Sequence, residues 1–189
     1  MTASDWKTLK QLCQIPAPSG NEVSLKEYIL AYIRQHQQEW RHQPKVIQDA
    51  AFQDCLLLVF GKPRTAAFAH MDSVGFTVRY QDQLVPIGSP RAEAGTKLVG
   101  EDHLGPILCE LQIEQADKDS PKQAKYQFAR GIDRGTELVY ECDFRELDEY
   151  IQSCYLDNRL GVLNLLKLAK TLERSEERRV GKECRSRWS

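Results

Sequence analysis

Residues 65–76 read Thr-Ala-Ala-Phe-Ala-His-Met-Asp-Ser-Val-Gly-Phe, a short apolar run that stops abruptly at His70-Met-Asp72. The run predicts a buried strand at 65–69. His70 and Asp72 are two positions apart and share one face while the strand lasts, at the strand end where open α/β sheets collect their ligands. A neutral imidazole is a good zinc ligand, and a nearby carboxylate can accept the other ring N–H. The alternative is a strand-end histidine and a turn-forming aspartate, and this motif alone leaves both open.

Length and composition are those of an ordinary globular protein. The 189 residues suffice for one core or two small domains, and a net charge of −1 favours neither nucleic acid nor an anionic membrane as partner. No apolar run approaches the roughly 20 residues that cross a bilayer, and the first residues lack the features of a secretion signal. The cysteines are scattered with no Cys-x-x-Cys pair, which indicates reduced, mostly structural thiols in a cytoplasmic protein. They are Cys13, Cys55, Cys109, Cys142, Cys154 and Cys184.

The N-terminal part predicts two helices followed by three strands. Ser4 can cap a first helix, and Ser19-Gly-Asn-Glu22 has the spacing of a capping box that opens a second. Strands are predicted at 45–48, 55–60 and 65–69. This order is typical of an α/β fold in which helices pack on a mixed sheet.

The middle of the chain predicts a β-rich insert. Short strand-like pieces separated by Gly and Pro turns follow Gly75, at 76–80, 83–87, 97–99, 107–113, 125–129 and 137–142. Their close spacing predicts a small barrel or sandwich. We therefore expect an α/β domain begun by 1–73, an inserted β-rich domain at 74–155, a return to the α/β domain at 156–173, and a tail at 174–189.

A second acidic motif precedes the last predicted helix. Leu156-Asp157-Asn158-Arg159 leads into a segment that is apolar around much of its circumference, which predicts a core helix. Taken alone, Asp157 is more simply interpreted as the N-cap of that helix. Gly161 in the first turn costs roughly 1 kcal/mol relative to Ala, which predicts a close approach to another backbone.

Four motifs, in order, resemble the glutamyl/tetrahedral aminopeptidase family of dinuclear zinc metallopeptidases. They are 16–22 (Pro-Ala-Pro-Ser-Gly-Asn-Glu), 70–76, 131–140 and 156–161. The resemblance covers roughly residues 5 to 172. It implies a zinc-exopeptidase-like mixed sheet with flanking helices, interrupted by an inserted small β-barrel-like domain, and a cytoplasmic, often multi-subunit, assembly.

The resemblance also implies roles for three residues. By position, His70 would be a terminal ligand of one metal ion, Asp157 would bridge two, and Asp72 would orient His70. The peptide bond after Asp157 would be cis. Two divalent ions, zinc or cobalt in the full-length protein, would polarise a scissile carbonyl and acidify a bound water, while a separate Glu accepts its proton. The implied activity is removal of N-terminal residues from peptide substrates, by a homo-oligomer.

Counterparts of the family's remaining ligands and of its base are missing from the sequence. Glu176-Glu177 lies in a charged segment with no apolar strand before it, and no histidine follows His103. We therefore interpret the chain as an inactive N-terminal fragment whose residues 174–189 are a non-native tail. Two other functions stay open: a related dinuclear amidohydrolase (deacetylase or carboxypeptidase), and a non-catalytic peptide-binding α/β protein. The Val-Gly-Phe after Asp72 favours the aminopeptidase.

Overall fold

The computed structural model describes residues 1–49, 52–115, 117 and 120–172. Three α-helices lie in this part: α1 (Ala3–Gln14), α2 (Val23–His36) and α3 (Leu156–Thr171), with a 3-10 turn at Gln37–Glu39. The strands are β1 (Lys45–Ile47), β2 (Leu57–Val59), β3 (Gly75–Val78), β4 (Gln83–Ile87), β5 (Lys97–Asp102), β6 (Gly105–Glu114), β7 (Gln123–Gln127), β8 (Glu137–Tyr140), β9 (Arg145–Glu146) and β10 (Ile151–Gln152). No helix among these residues is long and apolar enough to span a membrane.

Both N-terminal helices form, but neither begins with the predicted cap. Thr2, not Ser4, caps α1: its hydroxyl accepts from the Asp5 N–H (3.2 Å), and the Asp5 carboxylate accepts from the Thr2 N–H (2.7 Å). This reciprocal pair satisfies two donors that a helix start otherwise leaves unpaired. At α2 the Glu22 carboxylate accepts from the Gly20 N–H (2.9 Å), so Ser19–Glu22 forms a turn and not a capping box.

The helices bury one core with the β1–β2 hairpin against it. Its buried residues come from all three helices and include Leu9, Leu12, Leu25, Ile29, Ile33, Val162, Leu163 and Leu166. The core helix predicted here packs into the core through Val162, Leu163 and Leu166, while Leu168 on its outer face is half exposed. The helix is amphipathic, with one stripe that packs into the core shared with α1 and α2.

Strands β3 to β8 form a closed barrel in the order β3-β4-β7-β6-β5-β8, with every neighbouring pair antiparallel. Phe76, Leu98, Leu111 and Leu138 fill its interior and are fully buried. Gly75 and Gly100 lie so close to the backbone of β8 that a Cβ at either position would meet a carbonyl oxygen there. The structure confirms the α/β class and the β-barrel within it. The division into domains at 73, 155 and 173 stays a prediction, and the tail at 174–189 lies outside the described residues.

The strand predicted at 65–69 is absent. Residues 65–68 are exposed, with Phe68 at 82 % of its maximum exposure, and 65–69 pair with no described strand. Among the strands of the described residues, β2 pairs with β1 alone, in an antiparallel hairpin. An apolar run shows that a segment can form a strand, but a strand also needs a hydrogen-bonding neighbour, which periodicity does not reveal.

Candidate metal centre

The segment that carries His70 and Asp72 is fixed at its C-terminal end. The Ser73 N–H donates to the Ala17 carbonyl (2.7 Å), and Pro18 and Ser73 form an isolated parallel bridge. These contacts hold the segment against the turn between α1 and α2. The residues that follow enter β3 directly, so the end of the segment lies where the helical core meets the barrel.

His70, Asp72 and Asp157 come together there, although 87 positions separate His70 from Asp157. Asp72 Oδ1 lies 3.1 Å from His70 Nδ1, and Asp157 Oδ1 lies 3.1 Å from His70 Nε2. Each ring nitrogen therefore faces one carboxylate oxygen. When Nδ1 carries the hydrogen and donates it to Asp72, the lone pair of Nε2 is directed towards Asp157.

Asp157 occupies an irregular start of α3 and does not act as its N-cap. The N-cap position is Tyr155, in the left-handed conformation (φ 63°), and Asp157 itself has non-helical dihedrals (φ −89°, ψ 102°). The Asp157–Asn158 peptide bond is cis, as the resemblance implied. The carboxylate points to His70 and is almost fully exposed, so it is open to a further ligand.

The donor set fits a divalent cation. One imidazole nitrogen and one carboxylate oxygen are ordinary zinc ligands, with bonds of about 2.0–2.2 Å. Two ligand atoms at such distances on a tetrahedral ion lie about 3.3 Å apart, and the observed 3.1 Å between Nε2 and Oδ1 is close to that value. Asp72 already occupies the other ring nitrogen, as the carboxylate partner of a metal-bound histidine commonly does.

Arg159 holds this arrangement together from inside the core, a role that its place in the sequence motif did not reveal. Its side chain is completely buried and donates to the Leu12 carbonyl (3.1 Å), to Ser73 Oγ (2.8 Å) and to the Met71 carbonyl. Met71 lies between His70 and Asp72, so one guanidinium joins the end of α1, the His70 segment and α3. Burial lowers the pKa of Arg159 from its ordinary value.

Tyr155 joins the barrel to the same site. Its hydroxyl accepts from the Tyr140 N–H (2.6 Å) and donates to the Val74 carbonyl (3.3 Å), and burial raises the pKa of Tyr155. At Gly161, the neighbour that forbids a side chain is the amide group of Asn158 and not another element's backbone, which corrects the expectation from sequence.

The three candidate residues line an open cleft of about 620 Å³. Its lining comprises His70, Asp72, Val74, Arg91, Ser153, Tyr155, Leu156 and Asp157. Within the described residues this lining includes no glutamate and no second histidine. The cleft therefore offers two donors to a cation and one carboxylate that orients a donor.

A second group of possible ligands lies on the barrel: Asp102, His103 and Asp133. Here the guanidinium of Arg130 binds both oxygens of Asp102 (2.6 and 2.8 Å), and His103 contacts Asp133. A positive charge already pairs with the one enclosed carboxylate, so the geometry is that of an ion-pair network. No local sequence signal marks this group, since only the fold brings residues 102 and 133 together.

Similarity in three dimensions is clear where similarity in sequence is low. No family model and no characterised protein matches the sequence. The TET1 peptidase of Pyrococcus horikoshii matches the structure with a TM-score of 0.68, 19% identity, 89% of this chain and 56% of that one. The chain shares the fold of the matching part of that peptidase. A TET aminopeptidase of Thaumarchaeota archaeon SCGC AB-539-E09 matches with a TM-score of 0.67 and 15% identity. The match covers 88% of this chain and 53% of that one.

A protein described as an endoglucanase from Thermotoga maritima shares the fold as well, with a TM-score of 0.61, 17% identity, 85% of this chain and 54% of that one. The chain spans just over half the length of each of these proteins. At these identities the likeness concerns the fold, and the chemistry must be argued from the side chains in the cleft.

Proposed function

We propose that this chain is part of a metal-dependent aminopeptidase that removes residues from the N-termini of peptides. The observation that carries the proposal is the contact of His70 with both Asp72 and Asp157 in one open cleft. The shared fold with TET peptidases supports it. In this proposal His70 and Asp157 are metal ligands, Asp157 bridges two ions, and the ions are zinc or cobalt.

The chain's own residues would prepare the site for the cation. In the neutral ring of His70, donation of Nδ1–H to Asp72 would leave the lone pair of Nε2 available to ligate the cation. Arg159 fixes the backbone between these two residues, and Tyr155 fixes the approach to Asp157. When bound, such a cation pair polarises a carbonyl and acidifies a water. Neither the remaining ligands nor a general base is assigned in this chain, so the proposal includes that these 189 residues are inactive alone.

The proposal extends to assembly. The TET1 peptidase is described as assembling into a tetrahedron or a large octahedral shell. We propose that the longer protein containing this chain is likewise a homo-oligomer. Size-exclusion chromatography with light scattering on that longer protein tests this, and a monomer at micromolar concentration would contradict it.

Metal titration tests the site directly. Calorimetric titration of zinc into the purified chain should show weak binding, because two protein ligands are fewer than the three of usual catalytic zinc sites. His70→Ala and Asp157→Asn should each abolish that binding. His103→Ala is the matched control, since it removes the other exposed histidine that contacts an aspartate. If zinc binding were lost in His103→Ala alone, zinc would bind on the barrel, and the proposal would be overturned.

Activity measurements complete the test. The 189-residue chain with added zinc or cobalt should hydrolyse no aminoacyl-p-nitroanilide, whereas the longer protein should hydrolyse it and lose that activity in His70→Ala. Metal-dependent turnover by the short chain would show that its own residues include the base and the missing ligands.

A further inference from the structure

Two cysteine thiols meet where the chain leaves the barrel for α3. Cys142 follows β8, and Cys154 directly precedes Tyr155. Between them the chain turns back on itself: β9 and β10 pair antiparallel, with Arg145 opposite Gln152. The residues flanking this hairpin therefore lie opposite each other. Cys142 Sγ lies 3.3 Å from Ser153 Oγ, beside Cys154, and Cys154 Sγ lies 4.0 Å from the carbonyl oxygen of Glu141, beside Cys142.

The surroundings of the two thiols differ, which gives them different roles. Ser153 Oγ lies against the Cys142 sulfur while its hydroxyl donates to the Cys154 carbonyl (2.9 Å), and the Cys154 thiol is directed at the Glu141 carbonyl (4.0 Å). Hydrogen bonding with the Cys154 thiol is the largest influence that lowers the pKa of Cys142, burial opposes it, and Ser153 and the charge of Lys10 add to the lowering. The same hydrogen bond, followed by burial, raises the pKa of Cys154. Cys142 is thus the sulfur better suited to attack, with Cys154 next to it.

The other described cysteines lack this combination. Cys13 and Cys109 are buried, and burial raises the pKa of each to about 11. Cys55 is exposed on the surface. Cys13 lies near Cys142 but is enclosed in the helical core, which shields it from a dissolved reagent.

We propose that Cys142 and Cys154 form a redox modification site, oxidised to a reversible disulfide by exchange with a small-molecule disulfide such as oxidised glutathione. The Cys142 thiolate attacks one glutathione sulfur, the glutathione S–S bond breaks, and the first glutathione leaves and takes up the proton released by Cys142. Cys154 then attacks the Cys142 sulfur of the mixed disulfide and releases the second glutathione, which takes the Cys154 proton. Two protein thiols are oxidised, and one glutathione disulfide is reduced to two thiols.

The product would tie the exit of the barrel to the start of α3. The disulfide would close the loop formed by residues 143–153. Its second cysteine, Cys154, lies three positions before Asp157. The site is independent of the proposed peptidase function, because it requires neither a metal ion nor a substrate.

Peptide mapping tests this proposal. The purified chain is incubated with oxidised glutathione, free thiols are alkylated, and the protein is digested with trypsin. Cleavage after Arg134, Arg145 and Arg159 places Cys142 in peptide 135–145 and Cys154 in peptide 146–159. These two peptides should be recovered linked, with loss of both free thiols, and dithiothreitol should separate them.

Single variants separate the two steps. Cys154→Ser should stop after the first exchange and carry one glutathione on peptide 135–145. Cys142→Ser should leave Cys154 reduced over the time in which the wild-type pair is fully oxidised. The internal control is Cys55 in peptide 46–64, an exposed thiol that should acquire glutathione in every variant. Glutathione on Cys55 without a 142–154 link, or a link from Cys142 to Cys13, would overturn the proposal.

Discussion

At the scale of single residues, Arg159 is the strongest test of how the centre is built. Arg159→Met keeps an apolar stem but leaves buried carbonyl groups without a donor, each costing about 1–3 kcal/mol. We expect the free energy of unfolding, measured by urea denaturation, to fall by roughly 2–4 kcal/mol. The control is Arg145→Met, which breaks an exposed ion pair with Asp143 and should cost about 0–1 kcal/mol. Equal losses in both variants would contradict the role of Arg159.

Gly161 gives a second test at this scale, in which helix propensity and packing predict opposite signs. Propensity alone predicts that Gly161→Ala stabilises α3 by about 1 kcal/mol. The structure predicts destabilisation, because the new Cβ would collide with the Asn158 amide. Asn158→Ala in the same chain removes that amide and should recover stability in the double variant. A thermal midpoint that rises in Gly161→Ala alone would show that Asn158 moves away at little cost.

At the scale of elements, the Asp102–Arg130 pair links β5 to the chain between β7 and β8. Arg130 holds the pKa of Asp102 well below its usual range. A carboxylate whose pKa is lower in the folded state than in the unfolded state stabilises the fold at any pH above the unfolded-state pKa of about 3.9. This stabilisation is lost gradually as the pH falls from that value through the folded-state pKa. Asp102→Asn should therefore lower the thermal midpoint more at pH 7 than near pH 2. Asp143→Asn is the exposed control, and a loss of equal size at both pH values would exclude the ionic contribution.

The elements also show what sequence can and cannot predict here. Barrel strands such as 107–113 were found because apolar alternation and turn residues are local signals. The predicted N-cap of α1 was misplaced by two residues, because Thr2 and Ser4 are both good caps. The prediction of a strand at 65–69 failed for a different reason, since a strand needs a hydrogen-bonded neighbouring strand, which no local sequence pattern specifies. For the same reason, the sequence did not predict the structural role of Arg159 or the proximity of Cys142 and Cys154, because both depend on the tertiary fold.

At the scale of the whole molecule, the most unusual surface is the exposed apolar segment around Phe68. An exposed aromatic next to unpaired backbone favours association between molecules. We expect the chain to be poorly soluble, and Phe68→Ser to raise the concentration that stays in solution without lowering the thermal midpoint. Phe76→Ser is the matched control, because it removes a fully buried phenylalanine and should unfold the barrel. Unchanged solubility in Phe68→Ser would mean that another surface controls association.

The pairing of β3 with β8 has a consequence for how such a molecule could arise. These are the first and last strands of the barrel, and Gly75 lies opposite Val139. Neighbouring strands are about 4.8 Å apart, so the chain leaves the barrel almost where it entered. The barrel therefore connects two nearby points of the helical part, as a short loop would. The entropy cost of closing a loop rises only slowly with loop length, so a long insertion at this point adds little to that cost. We therefore expect a barrel attached in this way to be separable, so that genetic recombination could add, remove or exchange it without changing the path of the rest of the chain.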